Sequence, residues 1–279
     1  MELEEELRRK IAQIQPLDER AMALAKKRWD SIAHPLHSLG LLEDAIVTIA
    51  GAQGSHQVEL NKRCVTPFCA DNGVVAQGVT QSGQDVTTIV TKNFCSGEAS
   101  VCVMARVAGA DIIPVDIGVA QDVTEPGLRV HKIAYGTADI TQGPAMTREQ
   151  AADAILYGMN LVKELKEEGY RLIATGEMGI GNTTTSSALL SVLLHRPVEE
   201  MTGRGAGLSS EGLKRKIDAI HRAIEVNQPD PDDPLDTLHK VGGLDIAGLV
   251  GVFLGGAHYH LPIVIDGVIS GAAAFTAMK

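Results

Sequence analysis

Between Arg171 and Leu190 the chain reads Arg-Leu-Ile-Ala-Thr-Gly-Glu-Met-Gly-Ile-Gly-Asn-Thr-Thr-Thr-Ser-Ser-Ala-Leu-Leu, a run with the parts of an anion site. Arg171 to Ala174 is a short apolar strand. Gly176, Gly179 and Gly181 allow a tight turn with close backbone approach, and Asn182 or Thr183 can cap a helix that runs on through Leu194. Such a turn presents backbone N–H groups and the positive end of a helix dipole to an anion, usually a phosphate.

The spacing Gly176-x-x-x-x-Gly181-x-Thr183 imitates a P-loop, but Asn182 stands where the lysine that grips a nucleoside triphosphate belongs. The stretch therefore fits a single phosphate group, with a bare strand-to-helix turn as the alternative. Glu177 lies inside it. A carboxylate there repels a bare phosphate, so it is expected to face another part of the same ligand, a ribose hydroxyl or a positively charged ring. Positive charge is available from Gly203-Arg204-Gly205-Ala206-Gly207, a second glycine loop, and from Lys214-Arg215-Lys216 in the first turns of a helix starting near Ser209. One of those lysines can point inward while its neighbours stay solvated.

The elements that must position these groups follow from periodicity. Apolar strands are predicted over Arg63 to Ala70, Asp111 to Val115, Leu172 to Thr175 and Pro262 to Ile265, and each is followed by an acid beside glycine: Asp71, Asp116, Glu177 and Asp266. In a parallel α/β sheet the carboxyl ends of strands share one edge, which makes these four acids candidates for one cleft; each alone is equally a turn or helix cap. Helices are predicted over Glu2 to Gln13, Leu17 to Ile32, Leu41 to Ala50 (ending at Gly51), Gln84 to Phe94, Glu98 to Ala108 and Thr147 to Glu168. The last opens with a Thr147/Gln150 capping box. Val119 to Ala145 reads as irregular, and Gln228 to Pro234 as a stiff acidic connector.

Bulk properties narrow the class. The 279 residues can bury a substantial core, the net charge is −10 with pI about 5.4, and no basic block is sustained. Nucleic acid and anionic membrane surfaces are thus poor partners. The N-terminus is acidic and amphipathic and no apolar run is long enough to span a bilayer, so a cytoplasmic protein is expected. Cys64, Cys69, Cys95 and Cys102 lack Cys-x-x-Cys spacing and read as buried free thiols. His34 and His37 read as loop or capping histidines, and the His258-x-His260 pair as structural; neither predicts a metal or cofactor site.

Assembled, these residues resemble the nicotinate-nucleotide:dimethylbenzimidazole phosphoribosyltransferase family. The likeness runs from about Leu17 to Ala277 and rests on Cys-Ala-Asp-Asn-Gly-Val-Val (69–75), Val-Asp-Ile-Gly-Val (115–119), Thr-Gly-Glu-Met-Gly-Ile-Gly-Asn-Thr-Thr (175–184), Gly-Arg-Gly-Ala-Gly (203–207), Lys-Val-Gly-Gly-Leu-Asp-Ile-Ala-Gly (240–248) and Ile-Asp-Gly (265–267). The resemblance implies an α/β fold with a large, mostly parallel sheet flanked by helices, a smaller helical domain built from the chain ends, and a homodimer. Residues 1–45 are then a helical segment of the small domain or a dimer contact. Residues 46–279 are the nucleotide-binding large domain, incomplete at its C-terminus.

By that resemblance the substrates are nicotinate mononucleotide and a benzimidazole-type base, the product is α-ribazole 5′-phosphate for cobalamin, and no cofactor is needed. Glu177 is a supporting acid in the nucleotide site, and Asp266, with Gly267, lies at its floor. Gly176, Met178, Gly179, Gly181, Asn182, Thr183, Gly203, Arg204, Gly205, Lys216, Asp71 and Asp245 fall among the substrate-binding residues, and Ser82 and Gln84 in the loop of the base pocket. The chemistry is compatible: a pyridinium is already a good leaving group, carboxylates stabilise an oxocarbenium ion, and a base takes the proton of the attacking benzimidazole.

Three departures from the family pattern bear on the activity. His34-Pro35-Leu36-His37-Ser38-Leu39-Gly40 stands where the family has a Lys-Pro-Pro-Gly-Ser-Leu-Gly-like run, and Gln81-Ser82-Gly83-Gln84 where it often has Tyr-Pro. Val268 to Met278 is an apolar helix ending at Lys279, before the family's Ser-His segment and the glutamate motif that supplies its general base. The expectation is that this chain lacks that base. The alternative reading is an inactive or truncated nucleotide-binding paralogue, alone or as a subunit of a hetero-oligomer, and a P-loop nucleotide hydrolase is a third.

Overall fold

The computed structural model describes residues 2–279. Its frame is a parallel sheet of six strands: β1 (Arg63–Ala70), β2 (Asp111–Ile112), β3 (Val115–Gly118), β4 (Arg129–Val130), β5 (Leu172–Met178) and β6 (Ile263–Val264). The order is β4-β3-β1-β5-β6, with β2 also against β1, and every pair is parallel. Central β1 is covered on both sides, which explains its nearly unbroken apolar sequence. The chain leaves β1 toward β3 on one side and returns to β5 on the other, so the strand order reverses between β1 and β5. Ligands of open α/β sheets bind at such a switch point, beyond the carboxyl ends of the strands.

Among the described residues, twelve helices accompany the sheet: α1 (Glu2–Ile11), α2 (Glu19–Asp30), α3 (Leu41–Gln53), α4 (Asp85–Ser96), α5 (Ser100–Ala108), α6 (Arg148–Glu167), α7 (Asn182–Leu193), α8 (Val198–Met201), α9 (Ser210–Asn227), α10 (Pro234–Val241), α11 (Leu244–Tyr259) and α12 (Val268–Met278). A 3₁₀ turn covers Gly73–Gln77. Helix α11 is apolar all round because it is buried all round, between the sheet, α6 and α12. Its Gly248 rests on Phe68 of β1. Helix α6 carries the predicted capping box, with Thr147 Oγ1 accepting from the Gln150 N–H and Gln150 Oε1 accepting from the Thr147 N–H. None of the described helices is long and apolar enough to cross a membrane.

Several boundaries differ from the sequence reading. Helix α3 runs past Gly51 to Gln53, where Gly54 caps it in the left-handed region. The predicted strand Asp111 to Val115 is two pieces: Pro114, without an N–H, falls between them, and the second continues through Asp116 to Gly118. Strand β5 extends to Met178, so Gly176 and Glu177 are strand residues, not part of the turn. Helix α7 is capped by the backbone of Gly181, with φ +99°, and not by the side chain of Asn182 or Thr183. The apolar α12 buries one face against α11 and α7 and leaves Val268 and Met278 exposed.

Candidate active site

The turn between β5 and α7 is three residues, Gly179 to Gly181. Gly181 needs the left-handed conformation, and an added Cβ there lies 2.9 Å from Val75 Cγ2, so glycine is required twice over. Ile180 is tied down from α4 by its N–H to Thr87 Oγ1 at 3.2 Å. The turn and the start of α7 line a cavity of about 100 Å³ together with Ser82, Arg204 and Leu208.

Behind Thr183 stands Lys216. Its residue is 1% exposed, and its ammonium donates to Thr183 Oγ1 at 2.8 Å and to the Gly203 carbonyl at 3.2 Å. No carboxylate pairs with it among the described residues, and burial alone pulls its pKa down to about 8. An added Cβ on Gly205, whose φ is +56°, would sit 2.9 Å from Thr183 Oγ1 and 3.5 Å from Lys216 Nζ, so the second glycine loop closes directly over this pair. A buried cation with only neutral partners is the complement of an anion. Arg204 is exposed and instead holds its own loop, donating to the Leu208 carbonyl at 2.8 Å and to Ser210 Oγ at 3.2 Å. Lys214 and Arg215 are exposed on α9.

Glu177 points the other way, into an open cleft of about 680 Å³ over β1, β5 and β6, shared with Thr175, Gly176 and Asp266. Its carboxyl is held above the ordinary range by burial and by the Asp266 charge, against a hydrogen bond from Asn182. Asp266 is exposed and lines this cleft; its N–H donates to Thr175 Oγ1 at 3.3 Å, and Gly267 beside it is the N-cap of α12. Met178, half-buried at the end of β5, packs against a smaller apolar cluster that includes Cys69 and Phe94.

The four strand-end acids do share one sheet edge, but they do not share one cleft. Asp71 is fully buried, its Oδ2 accepting the Ala120 N–H at 2.7 Å, and burial raises its pKa. Asp116 is equally buried and paired with Lys132 at 2.8 Å. Both tie loops to the edge of the sheet. Asp245, at the first turn of α11, is fully buried too, and burial lifts its carboxyl to about 7. In the other loop, Gln84 Nε2 donates to the Asn72 carbonyl at 3.2 Å, while Ser82 is exposed at the rim of the small cavity.

The sequence reading missed three residues that hold this edge: Lys132, Thr87 and Asn72. Lys132 sits in the irregular stretch, where periodicity carries no signal, and Thr87 looks like any polar position on α4. Asn72 had a signal in its Asp71-Asn72-Gly73 context. His34 contacts its own loop through Pro35 and Ser38 and the end of α2 through the Trp29 carbonyl, and His258 Nδ1 bonds the Lys10 carbonyl. The cysteines are free; Cys95 is half-buried and the other three are buried. No group of three or more His, Cys, Asp or Glu among the described residues is placed to share a metal ion.

A parallel α/β sheet with a buried cation at its switch point and a carboxylate facing an adjoining cleft places the protein in the α/β class, with an edge whose charge and shape suit an anionic ligand. Comparison with known proteins narrows the class. A family profile described as Phosphoribosyltransferase matches residues 14–279. The nicotinate-nucleotide–dimethylbenzimidazole phosphoribosyltransferase of Acetivibrio thermocellus is 49% identical over 258 residues, 92% of this chain and 74% of that protein. The protein of the same name from Ruminiclostridium cellulolyticum is 48% identical over 269 residues, 96% of this chain and 76% of that one. The crystal structure of CobT from Thermus thermophilus superposes with a TM-score of 0.87 at 38% identity, covering 92% of this chain and 78% of that one. The chain belongs to the nicotinate-nucleotide–dimethylbenzimidazole phosphoribosyltransferase family and spans about three quarters of the length of these relatives.

Proposed function

We propose that this protein transfers the 5-phosphoribosyl group of nicotinate mononucleotide to a nitrogen of 5,6-dimethylbenzimidazole or a related base, giving α-ribazole 5′-phosphate and nicotinate in cobalamin biosynthesis. The observation that carries this reading is Lys216, a buried ammonium with no carboxylate partner among the described residues, set against Thr183 and the 203–207 loop. The 5′-phosphate is assigned there, with Gly179, Gly181, Asn182, Gly203 and Gly205 supplying backbone close by. Glu177 is assigned to the ribose and pyridinium side, where a carboxylate stabilises positive charge that moves from the ring to C1′ as the glycosidic bond breaks. The C1′–N bond electrons return to the ring, so nicotinate leaves with an uncharged ring nitrogen and its carboxylate still ionised; the imine nitrogen of the benzimidazole enters C1′ from the opposite face, and the N–H proton of the benzimidazolium so formed passes to solvent. Gly176, Met178, Ser82, Gln84, Asp266 and Gly267 are assigned to the walls of the donor and base sites.

The exposed leucines Leu36 and Leu39, between α2 and α3, and Leu41 and Leu42, which open α3, are assigned to a homodimer contact, and four free thiols fit a cytoplasmic location. The function is tested by incubating the protein with nicotinate mononucleotide and 5,6-dimethylbenzimidazole and following α-ribazole 5′-phosphate by mass spectrometry. Stoichiometric release of nicotinate with that product is expected. Neither product nor saturable nucleotide binding would overturn the reading.

A further inference from the structure

Asn182 is 4% exposed, and its one side-chain nitrogen is bonded twice: to Glu177 Oε2 at 2.5 Å and to Asp245 Oδ2 at 2.8 Å. Strand β5, helix α7 and helix α11 meet in that amide. We propose that Asp245 is a positioning residue that never touches substrate, and that it locks the Asn182 amide so that its second N–H holds the Glu177 carboxylate toward the cleft. The proposal deepens the assignment of Glu177 made above and rests on it.

The orientation is over-determined from the Asp245 end. Asp245 is fully buried, so no ligand reaches it without rearrangement, although the family resemblance groups it with substrate-binding residues. Its Oδ1 accepts the N–H of Ile246 at 3.0 Å, which leaves Oδ2 for Asn182. Two glycines make room for the carboxylate: an added Cβ on Gly179 lies 2.7 Å from Oδ2, and one on Gly243 lies 2.6 Å from Oδ1. The carboxylate is therefore held by a backbone donor on one side and lies against the bare backbone of two glycines. Turned over, the Asn182 amide would set its carbonyl oxygen against both acids, whereas the observed orientation gives each acid a donor.

The charged groups that face Glu177 are acids, Asp266 from the segment after β6 and Asp245 through the shared amide; no cation pairs with Glu177 or Asp245 among the described residues. The amide is thus the group that favours the ionised form of Glu177. Replacing Asp245 by asparagine keeps its shape but sets one N–H donor against another. If the introduced side chain keeps the bond to the Ile246 N–H through its carbonyl oxygen, its amide nitrogen meets that of Asn182, which turns over and withdraws its N–H from Glu177.

The test reads Glu177 directly. With ¹³C-labelled glutamate, the Cδ signal of Glu177 is titrated by NMR in the ligand-free protein and in Asp245→Asn, and nicotinate mononucleotide affinity is measured across the same pH range. The expected result is a Glu177 midpoint raised by about one pH unit in D245N, with the acid limb of nucleotide affinity moving by the same amount. Asn182→Ala is expected to give the same shift, and adding D245N to it no more. An unchanged Glu177 midpoint in D245N, or full additivity with N182A, overturns the proposal. Should D245N fail to fold, the side-chain amide signals of Asn182 in the unsubstituted protein decide: two titration steps, one from each acid, support the relay, and a single step overturns it. If the unsubstituted protein binds no nicotinate mononucleotide, the function proposed above fails, while the NMR arm still judges the relay.

Discussion

A lysine ammonium among neutral groups inside a protein is unfavourable until an anion joins it. Lys216 has a folded pKa of about 8 against an ordinary 10.5. Below about pH 8 both folded and unfolded chains carry the proton and the penalty is complete. Between 8 and 10.5 the unfolded chain binds more protons, so stability rises with pH through that window and the penalty has vanished above it. Lys216→Met is therefore expected to stabilise the ligand-free protein at pH 7 by up to about 3 kcal/mol, measured by urea denaturation. The same change is expected to weaken nicotinate mononucleotide binding by about a hundredfold, since a charge-assisted contact to phosphate is lost. Calorimetry near pH 9 should also find uptake of a proton on binding, because the phosphate restores the charged lysine. A destabilised K216M with unchanged affinity would remove Lys216 from the site.

Glu177 has the opposite sign and a different task. Glu177→Gln preserves size and removes the charge, so nucleotide affinity is expected to fall about tenfold and turnover by about a further hundredfold, as for loss of one transition-state electrostatic contact. Steady-state kinetics with both substrates separates the two effects. Loss of affinity with turnover unchanged would mean that Glu177 only binds.

At the scale of elements, the turn after β5 is where strand and helix chemistry meet the ligand. Gly181→Ala combines a positive φ with a Cβ 2.9 Å from Val75, and a cost of about 1–3 kcal/mol is expected, visible as a lower urea midpoint. Helix α6 offers a control far from the turn. Thr147→Ala removes one half of its capping box and is expected to cost about 1 kcal/mol without altering nucleotide affinity, whereas G181A changes both.

For the whole molecule, the groups at the sheet edge set an unusual pH profile. Burial lifts Asp245 to about 7, so between about pH 4 and 7 the folded protein keeps a proton that the unfolded chain has released, and stability falls as pH rises through that range. Lys216 then adds stability from about 8 upward. The ligand-free protein is expected to show a dip between about pH 7 and 8 that a D245N/K216M double variant lacks, read from urea midpoints across pH. The exposed leucines make a second prediction at this scale. Leu41 is 85% exposed, and Leu41→Asp is expected to convert the proposed dimer to monomer in sedimentation without lowering the urea midpoint.

Much of this was legible in the chain. Short apolar strands ending in acid and glycine implied a parallel α/β sheet with its ligand at one edge, because strand burial and turn chemistry are local and leave local marks. The capping box of α6 was readable for the same reason, and the ordered motifs indicated the family; helix geometry only allowed one lysine of the 214–216 group to turn inward, and the family resemblance alone singled out Lys216. Which acids face solvent was not readable. Asp71, Asp116 and Glu177 look alike in sequence; only packing buries the first two against Ala120 and Lys132 and turns the third to the cleft. Asn182 read as a helix cap or a lost P-loop lysine, since its partners lie 5 and 63 residues away and no periodicity joins them. Sequence determined which groups the carboxyl edge would hold, and tertiary structure alone decided how that edge is wired, because burial and hydrogen-bond partnership are properties of elements brought together from distant parts of the chain.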